Sequence, residues 1–512
     1  MNADESVRDV IDRLAEAASG SDKPFIIDPE RASPLTYLDL QQQARAVAHF
    51  ISRQGIAPGA SVAYAMGNSS CCAATVLGIM YGGYRAVAIN LMAGRDVIAY
   101  VLDHSQTVLV LCSSDTEALI NDAVSVNTEC AELHIQCMDN NIVNAWVAQN
   151  STAVGANVSA SHDALLMYTS GTTGRPKGVT LSHGNVLAGG YNVVTGHKLE
   201  ASDRALCVLP LYHINGLCVT VFGPLVSGGS LVLPERFSTS AFWQLVDEHQ
   251  CSWFSVVPTQ VSYLLRDADK QKTPSTSQRA HLRFGRSASA PLSPDMHGAF
   301  EKRFAVPLIE TMGLTETSAQ ILTNPLPPHE RKLGSPGLPV GDEVEIVDTK
   351  LEPVASGTEG ELLVRGANVM QRYFRNKAAT SEALVKDGWL RTGDLGRKDE
   401  QGYVFITGRL KELIIKGGEN IAPREIDDAL YQHPDVVEAA AFACPCDDYG
   451  QRVEAAVVLK ATSSLSESDL LDNCLQRVGK FKCPDRIHFM AELPKGPSGK
   501  IQRAKIRVAL IA

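Results

Sequence analysis

Tyr168-Thr-Ser-Gly-Thr-Thr-Gly-Arg-Pro-Lys-Gly178 is the stretch on which the reading of this chain turns. Small hydroxylated residues alternate with glycines from Thr169 through Ser170, Gly171, Thr172, Thr173 and Gly174, and Lys177 follows. Glycines let backbone N–H groups come close to an anion, hydroxyls add donors, and a lysine adds a point charge. Residues 168–178 therefore suit a polyphosphate. A Walker loop needs Gly-Lys followed by Ser or Thr, whereas here Pro176 precedes Lys177 and Gly178 follows it.

Outward from this loop, amphipathic stretches such as TYLDLQQQARAVAHFISRQG (36–55) alternate with short apolar runs such as SVAYAM (61–66), TVLVLC (107–112) and SLVLP (230–234). That alternation predicts βα units, with helices covering parallel sheets. Residues 334–366 change to short strands (VEIVD, GELLVR) between Gly and Asp turns, which predicts a separate small β-barrel or antiparallel sheet. After Thr407-Gly-Arg409, Pro423 opens a helix, followed by two apolar strands, VVEAAAFA and EAAVVLK. The expected architecture is α/β, with a compact α+β lobe at its C-terminal end.

At 512 residues, 45% hydrophobic and 20% charged, the composition is that of an ordinary globular protein with several domains. The 47 basic and 57 acidic residues leave a net charge of −10, a poor general surface for nucleic acid or anionic lipid. From Gly408 onward 15 basic residues match 15 acidic ones, so the excess negative charge lies before it, which suggests two lobes. Residues 205–234 carry no charge, yet Pro210, His213, Asn215, Pro224 and Gly228-Gly229 interrupt them, so buried strand, loop and helix are expected rather than a membrane span. The first twenty residues lack the pattern of a secretory signal, and a cytoplasmic protein is expected. The 12 cysteines show no zinc-ligand spacing.

Five further motifs follow the loop in order: Leu209-Pro-Leu-Tyr-His-Ile-Asn-Gly216, Glu310-Thr-Met-Gly-Leu-Thr-Glu316, Thr392-Gly-Asp394, Gly408-Arg-Leu-Lys-Glu-Leu-Ile-Ile-Lys-Gly-Gly-Glu-Asn420 and Pro494-Lys-Gly-Pro-Ser-Gly-Lys500. Taken together with residues 168–178, they resemble the adenylate-forming superfamily, in its acyl-CoA synthetase branch. The resemblance implies an adenylation domain over residues 1–407 with a β subdomain near 334–400. It further implies a hinge at 408–411 that turns about Lys411, and a mobile C-terminal domain over 412–512.

The implied chemistry is attack of a carboxylate on the α-phosphate of ATP, releasing pyrophosphate, followed by thioester formation with CoA. Repulsion between anions must be overcome, so cations and oriented donors should carry catalysis. By resemblance, Thr315 touches the α-phosphate and Glu316 holds Mg²⁺. Asp394 binds the ribose with support from Arg409, and Ser289 and Ala290 line the adenine and acyl sites. Gly313 and Met312 flank the adenine, where the superfamily usually offers an aromatic ring. Lys500 bridges the two reacting anions, while Lys416, Gly417 and Gly418 open a channel for the thiol. His213 is counted with the catalytic residues, and the acid pocket is expected from His213, Asn215, Val257, Arg286 and Gln320.

A low aromatic content and this polar set argue against a long greasy tunnel, and the FGRSASAPLSP stretch (284–294) is similar to small-acid-activating members. Arg286 would suit a second carboxylate of the substrate or an ion pair within the fold. No carrier segment follows the last motif, which favours free CoA over an acyl carrier protein. A stand-alone adenylating enzyme and a non-catalytic sensor of AMP or acyl-AMP stay open, as do monomer and homodimer.

Overall fold

The computed structural model describes residues 4–31, 33–126, 133–149, 157–169, 175–268, 281–496 and 500–511. Two large sheets form the N-terminal body. In one, the parallel strands Leu308–Leu314, Phe284–Ser287, Trp253–Val256, Arg204–Cys207, Ser230–Val232 and Pro24–Ile27 lie side by side, with short antiparallel strands at both edges. In the other, Asp163–Thr169, Arg85–Ala88, Ser61–Ala65, Thr107–Cys112 and His134–Cys137 run parallel, and Lys177–Ser182 returns antiparallel beside Asp163–Thr169.

Helices fill and cover these layers as the periodicity predicts. Tyr37–Arg53 starts on a capping box between Thr36 and Asp39 and buries Leu40, Ala44, Val47 and Ile51, one stripe at helical spacing. It packs on Ser70–Tyr81, every residue of which is buried. Such an all-round apolar helix belongs in a core.

The expected β subdomain is an antiparallel sheet of four strands, Glu343–Val347, Gly360–Arg365, Leu390–Lys398 and Val404–Arg409. It reaches beyond residue 400, because Asp394 pairs with Arg409 and Leu395 with Gly408. Chain pairing thus continues through two of the residues expected in the hinge. Lys411 lies just after, exposed, in the turn Leu410–Glu412.

The last lobe carries Pro423–Tyr431, the long hairpin Val436–Cys446 and Gly450–Leu459, the helix Glu467–Lys482 and the strand Arg486–Phe489, around a core of Ile414, Ile426, Leu430, Val453, Leu470 and Ile487. No helix among the described residues is long and apolar enough to cross a membrane. The cysteines described are all free.

Candidate active site

Four neighbouring parallel strands end on the same side, and each feeds a motif: Arg204–Cys207 leads to residues 209–216, Trp253–Val256 to Pro258, Phe284–Ser287 to Ser289, and Leu308–Leu314 to Thr315. Ligand sites in open α/β sheets lie beyond the carboxyl ends of such strands. Ser289 takes a left-handed backbone (φ +74°), uncommon for a residue with a side chain and often found at functional positions. Gly313 sits where the strand irregularly meets Ala319–Thr323, and a Cβ there would lie 1.6 Å from the Ala319 carbonyl oxygen. No other residue fits that crossing.

A cleft opens between the body and the last lobe. Seven of the candidate residues, Ser289, Ala290, Met312, Gly313, Asp394, Arg409 and Lys500, line it. Arg409 Nε donates to Asp394 Oδ1 over 2.5 Å. The Asp394 charge, ahead of the opposing cost of burial, raises the Arg409 pKa. Lys500 is open to the cleft but ringed by protein, and desolvation followed by the Arg409 charge lowers its ammonium pKa, with Asp394, Glu316 and Glu412 opposing.

Beside Lys500, Lys495 and Ile501 form an isolated antiparallel bridge, and Gly496 N donates to the Lys500 carbonyl over 2.7 Å. Lys495 pairs with Glu438 at 2.6 Å.

Thr315 and Glu316 share the one-turn 3₁₀ helix Thr315–Thr317. The Tyr373 hydroxyl donates to Glu316 Oε1 over 2.8 Å, leaving Oε2 with no protein partner among the described residues. Lys177 Nζ lies over the Tyr373 ring, 4.9 Å from its centroid. Thr169 ends its strand, and its hydroxyl donates to the Lys177 carbonyl over 3.5 Å. Ser170, Gly171, Thr172, Thr173 and Gly174 lie outside the described residues.

The expected acid pocket comes out differently. Of its five residues none lines the cleft, whose wall is made instead by Pro258, Thr259 and Ser262 beside Ser289. Val257 is buried one residue earlier, and His213 is half-buried with its ring 4.8 Å from that of Tyr212.

Arg286, Asn215 and Gln320 instead form a buried network directly behind that wall. Arg286, 1% exposed, donates from Nη1 to Asn215 Oδ1 (2.8 Å) and Ser255 Oγ (3.0 Å), and from Nε to Gln320 Oε1 (3.3 Å). Asn215 Nδ2 donates on to Ser289 Oγ at 3.1 Å, which reaches the cleft. Asn215 opens a π-helix, Asn215–Val219, a rare element frequent at functional sites. No carboxylate pairs with Arg286 among the described residues, and burial lowers its pKa to about 9.

Lys416 lies outside the cleft. It ends one strand of a hairpin turned by Gly417 and Gly418, both at positive φ, a two-glycine turn matched to strand twist. Its ammonium rests between the Tyr449 and Phe481 rings and donates to the Phe481 carbonyl over 3.1 Å.

The sequence pattern of the AMP-binding enzyme family matches residues 14–374, and that of the AMP-binding enzyme C-terminal domain matches 425–500. The chain belongs to the AMP-binding enzyme family.

It is 44% identical to the sulfoacetate–CoA ligase of Cupriavidus necator, covering 97% of this chain and 98% of that one. It is 34% identical to the oxalate–CoA ligase of Arabidopsis thaliana, covering 90% of each. ATP-bound MatB from Rhodopseudomonas palustris superposes with a TM-score of 0.90 at 26% identity, over 99% of both chains; apo MatB gives 0.78 over the same shares. The whole chain thus superposes more closely on the ATP-bound structure than on the apo one.

This AMP-binding enzyme is a CoA ligase: it activates a carboxylic acid with ATP to acyl-AMP, releasing pyrophosphate, and then forms the CoA thioester. Its sequence held no sign of Tyr373, or of the wall that the last lobe adds through Asp427, Asp428 and Arg503 beside Glu412 of the Gly408–Asn420 motif. Tyr373, Asp427, Asp428 and Arg503 carry no local pattern and reach the site only through long-range packing.

Proposed function

We propose that the acid is small and carries a second anionic group, recognised through Arg286. The observation that supports this is a fully buried guanidinium with no protein carboxylate beside it among the described residues, one hydrogen-bonded step behind the cleft wall. An unpaired buried cation is costly, and an anion in the pocket would relieve it. Sulfoacetate and oxalate, named for the two relatives, each carry such a group.

In this reading Asp394, stiffened by Arg409, holds the ribose hydroxyls, and Met312 packs against the adenine in place of an aromatic ring. Lys500 draws the acid's carboxylate to the α-phosphorus and neutralises charge as the new O–P bond forms and pyrophosphate leaves with its electron pair. Thr315 donates to the α-phosphate. The open Oε2 of Glu316, with no cluster of three or more metal-binding side chains among the described residues, suits Mg²⁺, which takes few protein carboxylates and relies on phosphate oxygens. Such an ion would neutralise the departing pyrophosphate.

For the second step, rotation after Arg409 would withdraw Lys500 and bring in the Lys416–Glu419 hairpin. The thiol sulfur then attacks the acyl carbon, AMP departs with the C–O electron pair, and the thiol proton passes to solvent.

Pyrophosphate release with sulfoacetate, oxalate, malonate, octanoate and benzoate, with and without CoA, tests the substrate class. The two-anion acids are expected to lead, and Arg286→Gln to erase that preference. A lead by octanoate or benzoate overturns it.

A further inference from the structure

Lys177 and Glu316 carry opposite charges on packed neighbours, yet they form no ion pair. Tyr373 explains why: the ammonium rests on the face of its ring, while the carboxylate is held at the hydroxyl end. The ring itself is 8% exposed and tied to both partners by backbone. Tyr373 pairs with Val179 on the Lys177 strand, Phe374 N donates to the Gly178 carbonyl over 2.7 Å, and Met370 N donates to the Glu316 carbonyl over 2.7 Å.

We infer that Tyr373 is a positioning residue that keeps Lys177 and Glu316 apart, so that the one stays available to phosphate and the other to the metal ion. The inference rests on the metal role proposed above for Glu316 and on the reading of Lys177 as the cation of a phosphate-binding loop. A direct pair would cancel both charges before any substrate arrived. Cation–π contact holds an ammonium without consuming its N–H donors, and the phenol engages one carboxylate oxygen while sparing the other.

The test separates ring from hydroxyl. Mn²⁺ binding to the enzyme–ATP complex without acid, followed by electron paramagnetic resonance, reads the metal site without turnover. Tyr373→Phe keeps the ring and is expected to weaken Mn²⁺ binding about tenfold, as loss of a hydrogen bond to a charged group does, with ATP affinity in the absence of metal unchanged. The Mg²⁺ concentration needed for pyrophosphate release should rise in parallel, while thioester formation from supplied acyl-AMP and the melting temperature stay put.

Tyr373→Leu removes the separator, so metal-free ATP affinity should also fall as Lys177 closes onto Glu316. Adding Glu316→Gln to that variant should restore the metal-free ATP affinity, an outcome that simple loss of packing does not produce. Wild-type Mn²⁺ binding in Tyr373→Phe, or no restoration in the double variant, overturns the inference. Unchanged Mn²⁺ binding in Glu316→Gln overturns instead the metal role on which it rests.

Discussion

Asp394 and Arg409 stand directly opposite each other on paired strands, joined side chain to side chain as well as by register. Asp394 is 4% exposed, so its carboxylate is oriented before any ligand arrives. Asp394→Ala is expected to raise the KM for ATP by tenfold or more, roughly the worth of charge-assisted hydrogen bonds to two hydroxyls. Steady-state kinetics with ATP varied will check it, and the affinity for CoA should be untouched.

Lys500 loses its proton more readily than a free lysine, because the cleft desolvates it and Arg409 lies close. In the proposed mechanism the charged form is the active one, so kcat/KM for acyl-AMP formation should fall on the alkaline side below the ordinary lysine range. Lys500→Arg, if it retains measurable activity, should carry that limb to higher pH.

Asp342 accepts hydrogen bonds from Asn192 Nδ2 and Asn368 Nδ2, yet burial outweighs them and pushes its pKa up to about 7. The folded state therefore binds the proton more tightly than the unfolded chain, so stability declines as pH rises from about 4 to about 7 and then levels off. Asp342→Asn should be more stable than the parent at about pH 8 and show no such gain at about pH 4. Urea midpoints at the two pH values measure the difference.

Arg503 fastens the last lobe to its own helix through Asp427 and reaches back to Glu412 beside the turn, with Nε 3.3 Å from Oε2. Asp427 is buried, and burial raises its pKa despite Arg503. Arg503→Ala should cost about 3–5 kcal/mol, as stranding a buried charge does, and Asp427→Asn added to it should recover part of the loss. Denaturant unfolding followed in that lobe provides the readout.

Much of this was legible in the amino-acid order because it is local. The alternation of TVLVLC and SVAYAM with amphipathic stretches marks strands and helices, and Gly313, Asp394 and Lys500 fall in the short motifs that carry the family resemblance. Arg286 was recognisable as unusual, but its position behind the wall was not, since Asn215 and Gln320 meet it only through the sheet's crossovers. Tyr373 sits in an ordinary edge strand. Its reach to Glu316 depends on pairing with Val179, a partner almost two hundred residues away that no local pattern announces. The expected hinge at 408–411 overlaps a strand pair for the same reason: the partner strand lies upstream, at Leu390–Lys398.

The way Arg286 is buried also bears on how this enzyme could change. Its donors satisfy Asn215 Oδ1 and Gln320 Oε1 away from bulk water. A single replacement by an apolar residue would leave Gln320 Oε1 bare, at about 1–3 kcal/mol, and Asn215 Oδ1 with the Ser255 hydroxyl alone. Loss of Arg286 is therefore best tolerated together with a change at Gln320, so the network is expected to change as a unit, and replacement one residue at a time has a stability valley to cross.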